Sequence, residues 1–184
     1  MKSIRKSKKE LLGATAAMVV LSPLVLQNAN AASLSVGASA VIRQAINLTQ
    51  QQSLNFGSLS ETGGGGTVTL NFSDSINDGP GALRPVVGGS TTSGHVTITG
   101  QAGIPVLVSS ETSTFKLLNG GGGATSTEMT VKDIVYRMNG QNGANLSVTL
   151  GTGVNDLDIG AKLVSSGQAA GTYSGSFTVN VVYP

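Results

Sequence analysis

The chain has 184 residues, with 11 Lys or Arg, 9 Asp or Glu, a single His, no Trp and no Cys. Without Cys there is neither a disulfide framework nor a thiol nucleophile, so stability rests on burial and strand pairing. Five of the basic residues and Glu10 lie in the first 31 positions, which leaves six basic and eight acidic residues beyond them, a net charge of −2. That excludes the basic footprint that nucleic acid or an anionic membrane surface selects.

Lys2, Arg5, Lys6, Lys8 and Lys9 precede an apolar run from Leu11 to Leu26, which ends in Gln27-Asn28-Ala29-Asn30-Ala31. A basic head, an apolar middle and an Ala-x-Ala end predict a secretory signal peptide over residues 1–31, cut after Ala31. The run is about sixteen residues long and contains Pro23, short of the roughly 20 residues that span a bilayer. The expected product is a single domain over 32–184, carried across the inner membrane to the periplasm, cell surface or medium, with no membrane insertion of its own.

Period-two alternation dominates after Ala32. Leu34, Val36, Ala38, Ala40 and Ile42 predict one face of a first strand, which at about 3.3 Å per residue spans roughly 30 Å. Gln50-Gln51-Gln52-Ser53 reads as a polar break and Leu54 to Gly57 as a short strand. Gly63 to Gly66 reads as a turn, followed by Val68, Leu70 and Phe72 on alternate positions. Asp74 to Gly94, rich in Gly, Pro, Asp and Ser, is expected to be a long loop. Val96 and Ile98, Val106 and Val108, and Phe115 and Leu117 mark three strands, the last ending at a second glycine turn, Gly120 to Gly123. Met129 to Met138 fits either period and is read as a strand. Asn139-Gly140 and Asn142-Gly143 are turn signals. Leu146 to Leu150, Leu157 to Leu163 and Tyr173 to Tyr183 complete the set. Eight to ten short strands without an amphipathic helix predict an all-β fold, an immunoglobulin-like sandwich.

Catalytic chemistry finds little support. His95 stands alone, and no Gly-x-Ser-x-Gly elbow accompanies it. The glycine runs lack the Lys and Ser or Thr of a phosphate loop. Asp74-Ser75-Ile76-Asn77-Asp78-Gly79 and Asn155-Asp156-Leu157-Asp158 offer oxygen ligands for calcium, but neither has EF-hand spacing. The reading is no enzyme, no cofactor and no assigned metal.

The last segment runs Gly171-Thr172-Tyr173-Ser174-Gly175-Ser176-Phe177-Thr178-Val179-Asn180-Val181-Val182-Tyr183-Pro184. It resembles the C-terminal strand of chaperone–usher pilus subunits, with Gly171 and Tyr183 at that pattern's glycine and penultimate aromatic, and it is similar to the spore coat protein U group. With Leu54-Asn55-Phe56-Gly57 and Gly167-Gln168-Ala169-Ala170-Gly171-Thr172-Tyr173, residues 32–184 resemble a family of small exported Gram-negative proteins of unknown function. The Cys pair of many pilus subunits is missing. The resemblance implies a pilin-like subunit whose Phe177, Val179, Val181 and Tyr183 pair with a periplasmic chaperone; together with Gly171 and Tyr173 these residues are read as either partner-binding or core. Leu34, Val36, Ala38, Ala40 and Ile42 would then be donated to another copy or a related subunit. Two alternatives remain: residues 34–42 forming the first strand of their own sandwich, and a monomeric binding module acting through Asp74 to Gly94.

Overall fold

A computed structural model describes residues 33–120 and 128–184. The expected signal peptide, and all of the second glycine turn after Gly120, lie outside the described residues. The chain divides between Ala40 and Val41, and the strands all belong to the unit that begins at Val41.

Twelve strands are described: β1 (Asn47–Gln52), β2 (Leu59–Leu70), β3 (Ile76–Pro85), β4 (Gly94–Thr99), β5 (Pro105–Ser110), β6 (Thr114–Asn119), β7 (Glu128–Met138), β8 (Gln141–Gly143), β9 (Leu146–Thr149), β10 (Asn155–Ser165), β11 (Tyr173–Ser174) and β12 (Val179–Val182). There is no helix among the described residues. Nine strands make one sheet, in the order β1-β4-β10-β7-β6-β11, with β2 and then β3 added beside β10 and β8 beside β7. The other three form a small sheet, β12-β5-β9. Every pairing is antiparallel. The fold is an all-β sandwich.

β10 is the spine, because β4 pairs with its first half, β2 with its second and β7 with most of its other side. Its alternation explains why: Leu157, Ile159, Ala161 and Leu163 point inward and are buried. Val106 and Val108 of β5 and Leu146 and Val148 of β9 meet them from the small sheet within one apolar core. Interdigitated inner faces of this kind are what hold two sheets together.

Four expectations are corrected. Residues 33–46 form no strand, and Leu34 and Ile42 are 88% and 93% exposed. Alternation shows that a segment is able to lie in a sheet, but the backbone pairs only where a partner edge is offered. Most of the polar break is instead the second half of β1, whose glutamines are used: Gln51 donates to Thr97 Oγ1 and Gln52 to Asp74 Oδ1 and the Ser93 carbonyl. Gly63 to Gly66 is an irregular stretch inside β2 rather than a turn, with φ of 96°, 83° and 75° at Gly63, Gly64 and Gly65, and the β2–β3 register slips there. Such positive φ is open to glycine at little steric cost, so a run that looks like a turn serves as a bulge. Finally, Asp74 to Gly94 is not one loop, since Ile76–Pro85 is β3. Among the described residues β3 pairs only with β2, and an edge strand tolerates its Pro80 and Pro85.

Candidate functional site: an open-edged strand beside a cleft

The C-terminal segment changes sheets. Tyr173 and Ser174 pair with Asn119 and Leu118 of β6 in the large sheet, whereas Val179 to Val182 pair with Ser110 to Leu107 of β5 in the small one. Residues 175–178 make the crossing, tied by the Glu111 N–H to the Thr178 carbonyl. Gly175 permits it, because a Cβ there would collide with the Lys116 carbonyl oxygen. Phe177, Val179, Val181 and Tyr183 turn toward the core, while Thr178 and Asn180 face solvent. The first four remain only partly buried. The reason is positional: β12 pairs with β5 alone, so its other edge is unpaired among the described residues.

Two contacts fix this segment. The Phe115 and Phe177 rings stack with centroids 4.9 Å apart. The Tyr183 hydroxyl donates to the Gln44 carbonyl at 2.9 Å and accepts from the Gln101 N–H at 2.7 Å. Arg43 lies over the Tyr183 ring, 5.6 Å from its centroid. The residue that the sequence marks as the penultimate aromatic thus anchors the stretch that leads into β1. Tyr173 donates its hydroxyl to the Ala169 carbonyl, and Gly171 packs against the Asn119 side chain.

Beside the crossing lies a cleft of about 960 Å³. One wall is the 168–177 segment and the other is residues 53–61; Leu83, Leu117, Met129 and Leu163 are among the residues within it. Sequence reasoning missed Glu61, the one acid among the described residues that line the cleft. Its Oε2 is hydrogen-bonded with Ser165 Oγ, which lies 2.6 Å from Gln168 Oε1, while Oε1 is buried without a hydrogen-bond partner. A signal was present, since Glu61 shares its strand face with Leu59 and so carries a charge on the inward phase.

The five candidate donor residues, Leu34, Val36, Ala38, Ala40 and Ile42, all lie in the exposed strandless segment. None contributes to a sheet of the folded unit.

His95 is part of a cross-strand charge ladder. Asp158 of β10 stands opposite both His95 of β4 and Arg137 of β7. His95 Nδ1 is 3.0 Å from Asp158 Oδ1 and Nε2 is 3.4 Å from Asp156 Oδ1. Arg137 donates from Nη2 and Nε to Asp158 Oδ2 at 2.7 and 3.1 Å, with its guanidinium over the Phe72 ring. Both ring nitrogens of His95 face carboxylates, so neither is directed at a Ser or Thr hydroxyl; the neighbouring Ser93 hydroxyl donates to Asp74 instead. The Ser93 backbone N–H, and then its hydroxyl, hold the Asp74 carboxyl below the usual carboxylate range. Asp78 pairs with Arg84 at 3.6 Å. Among the described residues, no three His, Cys, Asp or Glu side chains are grouped to hold a metal ion.

Residues 46–183, nearly the whole folded unit, match a family model described as a domain of unknown function, DUF4402. The chain belongs to the DUF4402 family. The matched span begins at Ile46, just before β1, and ends at Tyr183, so it takes in the cleft and the open-edged strand but stops short of residues 34–42. No curated protein matches the chain. No helix among the described residues is long and apolar enough to cross a membrane.

Proposed function

We propose that this DUF4402 protein is an exported, non-catalytic structural subunit, similar to pilus subunits, that assembles by strand addition. Its first 31 residues serve as a cleaved export signal. Residues 34–42 of one copy then pair with the free edge of β12 in another. A periplasmic chaperone would hold that edge beforehand.

One observation carries the reading: apolar side chains are left uncovered on two complementary pieces of backbone. Leu34, Val36 and Ile42 are exposed on a segment without strand partners. Phe177, Val179 and Val181 are half-buried on a strand with an unpaired edge. An extended segment added to such an edge gains main-chain hydrogen bonds and places alternate side chains against the core. Covering a few hundred Å² of apolar surface at about 25 cal/mol per Å² supplies several kcal/mol, before the cost of ordering the strand. In the reading of a monomeric binding module, about half of the proposed loop is β3, and Val86 and Val87 just beyond it are exposed.

The test is sedimentation of the secreted protein with and without residues 32–42. Oligomers that vanish on deletion, while the monomer melts cooperatively, support the subunit. A monomer in both cases ends this reading.

A further inference from the structure

We propose that the main-chain N–H and C=O groups of Val179 and Val181 are the pairing groups of the open β12 edge, and that they take the backbone of residues 34–42 of a second copy. This inference rests on the strand-addition reading and names the atoms that carry it.

The assignment follows from the phase of the small sheet. In an antiparallel pair one residue turns both its main-chain groups toward the neighbouring strand and the next turns both away. The Leu150 N–H donates to the Ile104 carbonyl where β5 meets β9. In the same phase, Val106 and Val108 turn their groups to Val148 and Leu146 of β9, which leaves Leu107 and Ser109 facing β12. The bond from the Glu111 N–H to the Thr178 carbonyl sets the same phase independently, because that pair continues the register of Asn180 opposite Ser109 and Val182 opposite Leu107. Asn180 and Val182 therefore engage β5. Val179 and Val181 direct their groups to the other edge, where no strand lies among the described residues.

These two valines also point their side chains at the core and are only partly buried. An added strand thus meets hydrogen-bonding groups and apolar surface at the same residues. Residues 34–42 match that edge. They are exposed and without strand partners, and they carry no charge to be desolvated beside an uncharged strand. Their apolar positions repeat at the two-residue spacing of the valines, and with no Pro among them every residue has an N–H to give.

Proline reads the phase directly. It removes one N–H and its ring obstructs a strand on that side, yet a sheet edge tolerates it where the N–H faces solvent. Val181→Pro, Asn180→Pro and Val181→Ala are compared in the secreted full chain by sedimentation equilibrium, and by thermal melting at dilutions where the monomer prevails, with the 32–42 deletion as reference. Val181→Pro is expected to melt within about 4 °C of Val181→Ala and to assemble about tenfold more weakly, or worse. Asn180→Pro removes the N–H that faces Ser109 and is expected to melt at least about 6 °C below both. A Val181→Pro chain that melts as low as Asn180→Pro overturns the phase. One that assembles as well as Val181→Ala overturns the role of the edge groups. If the deletion abolishes assembly while Val181→Pro leaves it intact, the assignment falls and strand addition stands at another edge. If the deletion has no effect, both fall.

Discussion

Val108 of β5 and Val181 of β12 are paired neighbours in one sheet, the same residue type facing the same core. Val108 is completely buried and Val181 only partly. β5 has β9 on its far side and β12 has no strand there among the described residues, so coverage follows from position in the sheet and not from the residue. An uncovered apolar row on an unpaired edge is a liability that sheets usually blunt with charge, bulges or a covering element. Here the row is Phe177, Val179, Val181 and Tyr183, without a charged residue between them. Under the proposed function, this is the edge to which a partner strand is added.

The contrast is open to attack by substitution. Leu163→Ala on the spine strand, where the side chain is fully buried, is expected to cost about 2–5 kcal/mol, read from the urea midpoint of the monomer. Val181→Ala removes half-covered methyls and is expected to cost the monomer about 1 kcal/mol or less. It should weaken assembly more than it weakens the fold, and equal losses in both would erase the distinction between the two strands. Tyr183→Phe removes the hydroxyl that joins Gln44 and Gln101, with an expected loss of about 1 kcal/mol in the same measurement. The smallest effect is that of acid. Asp74 is held below 3.8 chiefly by the Ser93 N–H, and Asp133 chiefly by its hydrogen bond from Lys162. Carboxyls lowered in the folded state stabilise it above 3.8, and that contribution is lost as pH falls below this value. Asp74→Asn should therefore flatten the acid limb of a stability–pH curve and leave its neutral region little changed in slope.

What the sequence revealed and what it hid divide along physical lines. The buried faces of β5, β9 and β10 were legible because strict alternation over paired strands leaves one interpretation. β7 was harder for a reason visible in its geometry. Asp133 sits at φ 51° in a bulge opposite β10, so the inward residues run Met129 and Val131, then Ile134, Tyr136 and Met138. One inserted residue shifts the phase and mimics a helical spacing. β2 and β3 were obscured by glycine and proline, whose local preferences yielded to long-range pairing. Of the candidate site, the alternation of the C-terminal strand was readable, but that its edge lies open is a property of sheet order. Glu61 was hidden behind the glycine run read as a turn, which removed the context in which an inward acid looks odd.

Tyr183 has one more consequence. By bonding to the Gln44 carbonyl it brings the end of the last strand to the entrance of the first. Circular permutation succeeds where the joined ends are neighbours and the new break falls in an exposed turn. A short linker from Pro184 to Gln44, with new ends opened at Asn139-Gly140, should give a rearranged chain that keeps the same two sheets.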